Sequence, residues 1–286
     1  MEVTVRRVQR RDIMRGMAAG MAGVVGGQAL GGVGAASAGT AGGRGGAGVL
    51  GRLGLVYLSH VNDPATTTLF PGDPPFELEV MATVPVDGFY MQYVREGEHT
   101  GTHWGAPAHF QEGGLTADQL DPDDLFLPAV KLDIRDRAAQ DADYGVTVDD
   151  VKRWERRHGR IPRGAAVILW TGWEDRWGTD AYANLDDDGV IHQPGFLPET
   201  AEWLIETRRL DERGALGTDT FGPDRGVDDT FGVSVALYDR HRISLENLAN
   251  LGALPSTGAW VLVGGPRHAA GSGSTATIFG VLPPGR

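Results

Sequence analysis

Three histidines lie within thirteen residues of the chain, in the segment EHTGTHWGAPAHF (98–110). They are His99, His103 and His109, and the whole chain of 286 residues contains only eight histidines. Imidazole binds divalent transition metals and also acts as a general acid or base near neutral pH. The cluster therefore predicts a metal site or a proton-transfer site, with a histidine-rich turn as the alternative.

The residues between these histidines favour an extended backbone over a helix. Gly101, Gly105 and Pro107 are all poor helix formers. On an extended segment, side chains two residues apart point the same way, so His99 and His103 would share one face. The two glycines would leave gaps on that face. We therefore expect two imidazoles directed to one side, with room between them for a ligand.

Composition limits the chemistry that the cluster can support. The chain has no cysteine, which excludes disulfides, thiolate metal sites, iron–sulfur clusters and a cysteine nucleophile. Any metal must then be bound by His, Asp or Glu. The net charge is −12 at pH 7, and an acidic surface repels phosphate backbones and anionic lipids. We expect a small-molecule substrate as the partner, and neither nucleic acid nor a membrane surface.

The first 52 residues differ in composition from the rest of the chain. Arg10 and Arg11, followed by DIMR, resemble a twin-arginine export signal, and a Gly/Ala stretch and the small residues ASA (36–38) come after them. This pattern predicts a signal peptide at 1–38 and a flexible glycine-rich linker at 39–52. The protein would then be exported to the cell envelope or the exterior. A disordered Gly/Ala tail on a cytoplasmic protein is the alternative.

Residues 53–286 alternate between apolar strands, Pro/Gly turns and a few helices, which is typical of one α/β domain. Helices are predicted at 147–159, where Thr147 is an N-cap with Asp150 three residues later, and at 197–210. Five strands with two helices do not fit a regular βαβ alternation, so we expect mixed sheets. The strands are predicted at 54–63, 129–136 (half-buried, by its alternation), 165–172, 214–220 and 258–265.

The histidine segment resembles the motif of the cyclase family, the kynurenine formamidase-like hydrolases that include isatin hydrolases. The family motif is H-x-G-T-H-x-D-x-P-x-H, and this chain reads HTGTHWGAPAH at 99–109. The resemblance covers nearly all of residues 53–286, because further similar segments occur in the family's order. They are LSH (58–60), FPGDPP (70–75), DGF (87–89), PGFLPETAEWL (194–204), GTDT (217–220) and LENLANL (245–251).

The resemblance implies a fold, a chemistry and roles for four residues. The fold would be a single α/β domain with mixed β-sheets of the swivelling β/β/α cyclase type, assembled as a homo-oligomer (a dimer or tetramer). Members hydrolyse C–N bonds other than peptide bonds, in amides, N-formyl groups or cyclic amides, with zinc or manganese. By position, His99 and His103 match metal ligands. Glu246 matches a further carboxylate ligand, and His109 matches the catalytic acid/base.

Two positions depart from the family's pattern. The motif aspartate that bridges two metals is Gly105 here, and a histidine twelve residues before the glutamate is Ser234. Two dications about 3.5–4 Å apart would repel strongly without the bridging anion. We therefore expect a single divalent ion, zinc or manganese, bound by His99, His103 and Glu246 with water in the fourth place.

The expected function is hydrolysis of an amide, N-formyl, cyclic amide or lactone bond by metal-activated water, with His109 as the acid/base. One alternative is a metal-free enzyme on the same scaffold, in which His109 and Glu246 transfer protons for cyclisation, dehydration or isomerisation, for example in secondary metabolism. A non-catalytic protein that binds a small molecule is a third hypothesis. Serine hydrolysis is disfavoured, since GVSVA (232–236) lacks the last glycine of a nucleophile elbow.

Several other residues are weaker candidates. Asp219, in GTDT, is expected to fix a loop. His241 could replace a lost metal ligand, although its basic neighbours disfavour a cation there. His192 and His268 lie in glycine-containing turns or loops. Three aromatic residues could line a pocket for a cyclic substrate or belong to the core: Phe70, Phe89 and Trp104.

Overall fold

A nine-stranded mixed sheet organises residues 53–283, the part of the chain that the computed structural model describes. The predicted signal peptide at 1–38 and linker at 39–52 lie outside the described residues. None of the helices within 53–283 combines the length and apolar character that a membrane crossing requires. The strands are β1 (Gly54–Tyr57), β2 (Glu77–Ala82), β3 (Met91–Arg95), β4 (His103–Gly105), β5 (Phe126–Asp133), β6 (Gly145–Val146), β7 (Ala166–Trp170), β8 (Gly195–Phe196), β9 (Arg213–Thr218), β10 (His241–Glu246), β11 (Ala259–Val263), β12 (Gly273–Thr275) and β13 (Ile278–Leu282).

The centre of the large sheet is parallel and its edges are antiparallel. The strand order is β1-β13-β11-β5-β7-β9-β10-β4-β12, in which β5, β7, β9 and β10 run parallel. The strands on either side of this group pair antiparallel. Two small sheets, β2–β3 and β6–β8, lie outside it. The expectation of one α/β domain with mixed sheets is confirmed.

Each of the five predicted strands overlaps an observed one, in the order β1, β5, β7, β9 and β11. The expectation that β5 is half-buried was wrong. Val130, Lys131 and Leu132 are all buried, because an apolar cluster covers each face of the sheet at β5. The alternation that suggested a solvent face comes from Lys131. Its ammonium group donates a hydrogen bond to the carbonyl of Leu251 and lies over the Trp170 ring.

Six helices are described: α1 (Val84–Asp87), α2 (Arg135–Ala138), α3 (Val148–His158), α4 (Asp180–Ala183), α5 (Pro198–Glu206) and α6 (Gly232–Leu237). The predicted capping box of α3 is confirmed, since the Thr147 side chain accepts from the Asp150 N–H and Asp150 caps the Thr147 N–H. Helix α5 ends earlier than predicted, and Arg208 beyond it takes a left-handed backbone conformation with φ of 61°.

The apolar core has one cluster on each face of the sheet. Along β7, Ile168 belongs to one cluster while Val167 and Leu169 belong to the other, as the alternation of side chains along a strand requires. Helices α3 and α5 cover the second cluster through Val151 and Leu204. Strand β4, which carries His103, is also fully buried, although it lies next to the edge strand β12.

Strands β2 and β3 form a two-stranded ribbon with α1 between them, and almost all of its side chains are exposed. We call residues 77–95 the β2–β3 ribbon. The sequence patterns did not indicate it as a separate sheet, because both of its faces carry apolar residues and no alternation marks a buried side.

Candidate active site

The pairing of β4 with β10 brings the expected carboxylate to the histidines. In the antiparallel register, Glu246 lies opposite His103 and Ser244 lies opposite Gly105. Residues two apart on a strand share a face, so all four residues point to the same side of the sheet. A glutamate 143 positions away in the sequence is thereby placed beside the histidine motif.

His103 and Glu246 form a buried, directly bonded pair. His103 Nε2 lies 3.1 Å from Glu246 Oε2, and His103 Nδ1 donates to the carbonyl oxygen of Gly101 at 2.9 Å. Burial alone would lower the pKa of His103, but the adjacent carboxylate outweighs burial and the pKa is raised. Burial alone would raise the pKa of Glu246, but His103 outweighs it and the pKa is lowered. Each group therefore stabilises the charge of the other.

His99 reaches the site from a turn and not from an extended strand, so the expectation of one continuous face was wrong. Gly101 has a φ of 62°, which reverses the chain before β4 begins at His103. A Cβ atom at position 101 would overlap the side-chain amide of Asn62. Glycine is therefore required there for two reasons, the positive φ angle and the lack of space for a side chain.

The His99 ring has a defined tautomer because of its neighbours. The hydroxyl of Ser272 donates to Glu98 Oε2 at 2.8 Å, so it accepts from His99 Nε2, which lies 3.0 Å away. The lone pair is then on Nδ1, which is buried without a hydrogen-bond partner among the described residues. Burial lowers the pKa of His99 to about 3. The ring is therefore neutral, in the form that binds metals.

His109 lies at the pocket side of His99. The two rings stack with centroids 3.8 Å apart, and Phe110 and Tyr238 pack edge-on against His109. Burial lowers the pKa of His109, so its imidazole is neutral at pH 7 and able to accept a proton. The turn Pro107–His109, which begins with the motif proline, holds the ring in this position.

Two of the three expected donor atoms have the spacing of ligands to one metal ion. Two ligands of a tetrahedral ion with bonds of about 2.0–2.1 Å lie about 3.3 Å apart, close to the 3.1 Å between His103 Nε2 and Glu246 Oε2. The nitrogens of His99 do not yet converge with these atoms within 4.8 Å. Nδ1 of His99 is buried without a hydrogen-bond partner among the described residues, so its lone pair is the one that a third ligand position would use. The ligand roles of His99, His103 and Glu246 stay a prediction.

Within the described residues, three residues outside the histidine cluster do meet this spacing, namely Asp121, Asp124 and His241. Arg213 already bonds to both of these carboxylates, so a cation is present there. His241 bonds to Asp124 and does not line the pocket of the histidine cluster. The expectation that His241 is a poor replacement ligand agrees with this placement.

Ser234, the second departure from the family's pattern, has an acidic partner and no imidazole. Its hydroxyl donates to Asp224, which also accepts from the N–H of Val233 at 2.7 Å. No hydrogen bond joins Ser234 to a histidine within residues 53–283. Asp224 lines the pocket, and the sequence patterns did not single it out.

The histidines and Glu246 form the floor of a pocket of about 620 Å³. Phe70, Phe110, Phe221 and Phe231 contribute aromatic walls. Of the three aromatic residues predicted to line a pocket, Phe70 does so. Trp104 is buried in the core, and Phe89 is exposed and does not line the pocket. A cavity of this size with apolar walls and a few convergent polar groups is typical of a small-molecule site.

Asp73 is a second pocket carboxylate that the sequence patterns did not indicate. It ends the tight turn FPGD, in which the Asp73 N–H donates to the Phe70 carbonyl at 3.0 Å and Gly72 has a φ of 100°. Burial raises the pKa of Asp73, and the nearby His103 and His109 oppose that rise. The signal was present in the proline- and glycine-rich FPGDPP segment, which was interpreted only as a rigid loop.

Two residues near the pocket have structural roles. Asp219 accepts from the N–H and hydroxyl of Thr171 at 2.9 and 2.8 Å, so the expectation that it fixes a loop is confirmed. His192 bonds to Asp143 and Asp186 in a partly exposed turn.

An α/β domain with a buried imidazole–carboxylate cluster at the floor of an aromatic pocket has the make-up of a small-molecule enzyme. The family model described as "Putative cyclase" matches residues 56–225, more than half of the chain. The protein therefore belongs to the cyclase family.

Comparison with individual proteins places the chain among the isatin hydrolase-like members. It is 32% identical over 220 residues to isatin hydrolase from Roseibium aggregatum, covering 73% of this chain and 82% of that protein. The structure of isatin hydrolase A from Labrenzia aggregata, bound to benzyl benzoate, superposes with a TM-score of 0.75 at 30% identity, covering 82% of this chain and 95% of that one.

A more distant structure shares the fold alone. It is described as a potential metal-dependent hydrolase with cyclase activity, and it is 17% identical with a TM-score of 0.60, covering 80% of this chain and 98% of the other. The mixed-sheet architecture is thus common to relatives whose sequences have diverged widely.

Asp224 generates a prediction about the pH dependence of stability. Burial raises its pKa from 3.8 to about 6, so between these values the folded state holds a proton that the unfolded state lacks. The contribution of this group to the free energy of unfolding therefore falls as pH rises through that window, by about 2–3 kcal/mol. Asp224→Asn cannot titrate, so thermal unfolding of wild type and variant should diverge between pH 4 and 7, with the wild type losing relative stability. Parallel curves would contradict this assignment.

Proposed function

We propose that the protein hydrolyses the amide C–N bond of a cyclic amide related to isatin, using one divalent ion, zinc or manganese, at His99, His103 and Glu246. The observation that carries this proposal is the buried His103–Glu246 pair beside two neutral histidines at the floor of an aromatic pocket. The similarity to isatin hydrolase supports amide hydrolysis over the metal-free alternative of cyclisation, dehydration or isomerisation.

The surrounding hydrogen bonds prepare His103 and Glu246 to hold an ion. The bond from His103 Nδ1 to the Gly101 carbonyl leaves Nε2 as the ligand atom. The Ser244 hydroxyl binds Glu246 Oε1 at 2.5 Å and leaves Oε2 facing the histidine. A divalent ion bound there polarises a carbonyl group and acidifies water.

His109 is positioned to move the proton during amide cleavage. Its neutral ring accepts a proton from the attacking water and returns it to the leaving amide nitrogen, which otherwise departs as a poor leaving group. The stack on His99 and the edge contact with Tyr238 restrict the ring's orientation.

The aromatic walls suit a flat, fused-ring substrate. Phe70 packs edge-on against Phe221 at a centroid distance of 5.4 Å, and Phe110 lies 5.3 Å from Phe231, so the walls are preorganised by contacts with each other. An aromatic lactam can stack between such walls while its carbonyl reaches the polar floor.

Metal removal tests the reaction directly. Protein purified without chelators should hold about one zinc or manganese ion per chain, measured by elemental analysis. We expect isatin hydrolysis, followed by the loss of isatin absorbance, to disappear after chelator treatment and to return when zinc or manganese is added back. Full turnover by metal-free protein would exclude the proposal.

The role of His109 predicts a specific kinetic change. His109→Ala should lower kcat about 10²–10⁴-fold, because the leaving nitrogen loses its proton donor, while the metal content stays that of the wild type. His268→Ala removes an exposed loop histidine and serves as the control, with unchanged kcat. If His109→Ala retains the wild-type kcat, the residue has no acid/base role.

We also propose that the protein is a homo-oligomer assembled through the β2–β3 ribbon. An isolated two-stranded ribbon is at best marginally stable in water. This ribbon nevertheless exposes several large apolar side chains, with Val84 62% and Val86 70% exposed at its turn and Tyr93 52% exposed on β3. A second copy of the chain would cover it, since large exposed apolar patches mark association surfaces.

Tyr93→Asp tests the proposed interface by placing a charge in it. Light scattering coupled to size exclusion should show a dimer or tetramer for the wild type and a smaller species for the variant. Val61→Asp changes an apolar residue that is 84% exposed outside the ribbon, and this control should keep the wild-type mass. A wild-type protein that elutes as a monomer would contradict the proposal.

A further inference from the structure

Glu246 is held by a chain of hydroxyl groups that lies behind it. The Tyr238 hydroxyl lies 2.7 Å from Ser244 Oγ, and Ser244 Oγ lies 2.5 Å from Glu246 Oε1. The backbone N–H of Gly105 also donates to Ser244 Oγ, at 3.1 Å. All of these groups are buried.

Hydrogen-bond capacity fixes the direction of this chain. Glu246, paired with His103, is a carboxylate that can only accept, so Ser244 must donate its single hydrogen to Glu246. The two lone pairs of Ser244 are then filled by the Gly105 N–H and the Tyr238 hydroxyl. Every donor and acceptor of the Ser244 hydroxyl is thus used. These hydrogen bonds hold the Glu246 carboxylate in one orientation, with Oε2 directed at His103.

Gly105 is the residue that makes room for this arrangement. A Cβ atom at position 105 would overlap the Tyr238 hydroxyl, and it would lie 2.8 Å from Ser244 Oγ and 3.2 Å from Tyr238 Cζ. The motif position that carries aspartate in the family's pattern is therefore occupied, in space, by the end of Tyr238. An aspartate and this tyrosine cannot both be present in the structure as it stands.

We propose that Tyr238 and Ser244 are positioning residues, which hold Glu246 in the orientation needed to bind the metal ion. They take the place of a carboxylate at position 105. Glycine at 105 is required for the Tyr238 hydroxyl to reach Ser244. The predicted effect on metal affinity rests on the proposed function. The steric coupling between positions 105 and 238 does not depend on the proposed function. Aspartate at position 105 would displace the Tyr238 hydroxyl, and Glu246 would then lose the hydrogen-bond chain that holds it.

Metal affinity tests the positioning role. Tyr238→Phe removes only the hydroxyl, and we expect the dissociation constant for zinc or manganese, measured by competition with a chromophoric chelator, to rise about 10–100-fold, as for other residues that orient a metal ligand. Tyr144→Phe is the matched control, since the Tyr144 hydroxyl bonds to the carboxylate of Asp150 at 2.7 Å next to α3. That control should keep the wild-type affinity. An affinity unchanged by Tyr238→Phe would overturn the proposal.

The thermal stability of a double-mutant cycle tests the spatial coupling. Gly105→Ala should lower Tm by about 5 °C in the wild-type background, because it overpacks a buried site. In the Tyr238→Phe background the loss should be less than half as large, because the overlapping oxygen is gone. Additive losses would refute the coupling. If the wild type binds no metal, the proposed function fails while this cycle still supports or refutes the coupling between positions 105 and 238.

Discussion

The ion pair between His103 and Glu246 depends on one strand register. Because β4 and β10 pair antiparallel, a shift by one residue would move Glu246 to the opposite face and leave a buried charge unpaired on each strand. Such a loss is costly, since a buried charge without a partner destabilises a protein by several kcal/mol. The register between β4 and β10 therefore determines the geometry of the site, and the His103–Glu246 pair in turn stabilises that register. The core strands support this register, because β10 pairs in parallel with β9 and β9 pairs in parallel with β7.

Structural features that depend on residues close together in the sequence could be predicted from it, while features that depend on long-range contacts could not. Local signals were sufficient for α3, whose capping box is formed by residues three apart, and for β7, an apolar run between turns. They failed for β5, where Lys131 looks like a solvent-facing residue until its ammonium group is seen to bond to a backbone carbonyl. The side chain of a lysine carries its charge far from its backbone, so a polar letter in a strand does not reveal which way the strand faces.

The site shows the same division. The motif spacing was sufficient to predict the cluster of His99, His103 and His109, and the family pattern added Glu246. Neither could predict Asp73 or Tyr238, because their places in the site follow from a turn and a helix end that meet β4 only in the folded chain. Gly105 in the sequence marked a missing carboxylate. Only the structure shows that the Tyr238 hydroxyl takes the space that a side chain at 105 would need.

A tyrosine hydroxyl in place of a carboxylate at 105 affects the electrostatics of the pocket as well as its shape. A carboxylate at 105 would add a buried negative charge beside Glu246, with Asp73 and Asp224 also lining the cavity. Such crowded carboxylates retain protons unless cations neutralise them, which is consistent with a site for two ions. A tyrosine hydroxyl donates a hydrogen bond and adds no charge. Glu246 is then neutralised by His103 or by a single dication, and the neutral rings of His99 and His109 stay available for binding and proton transfer.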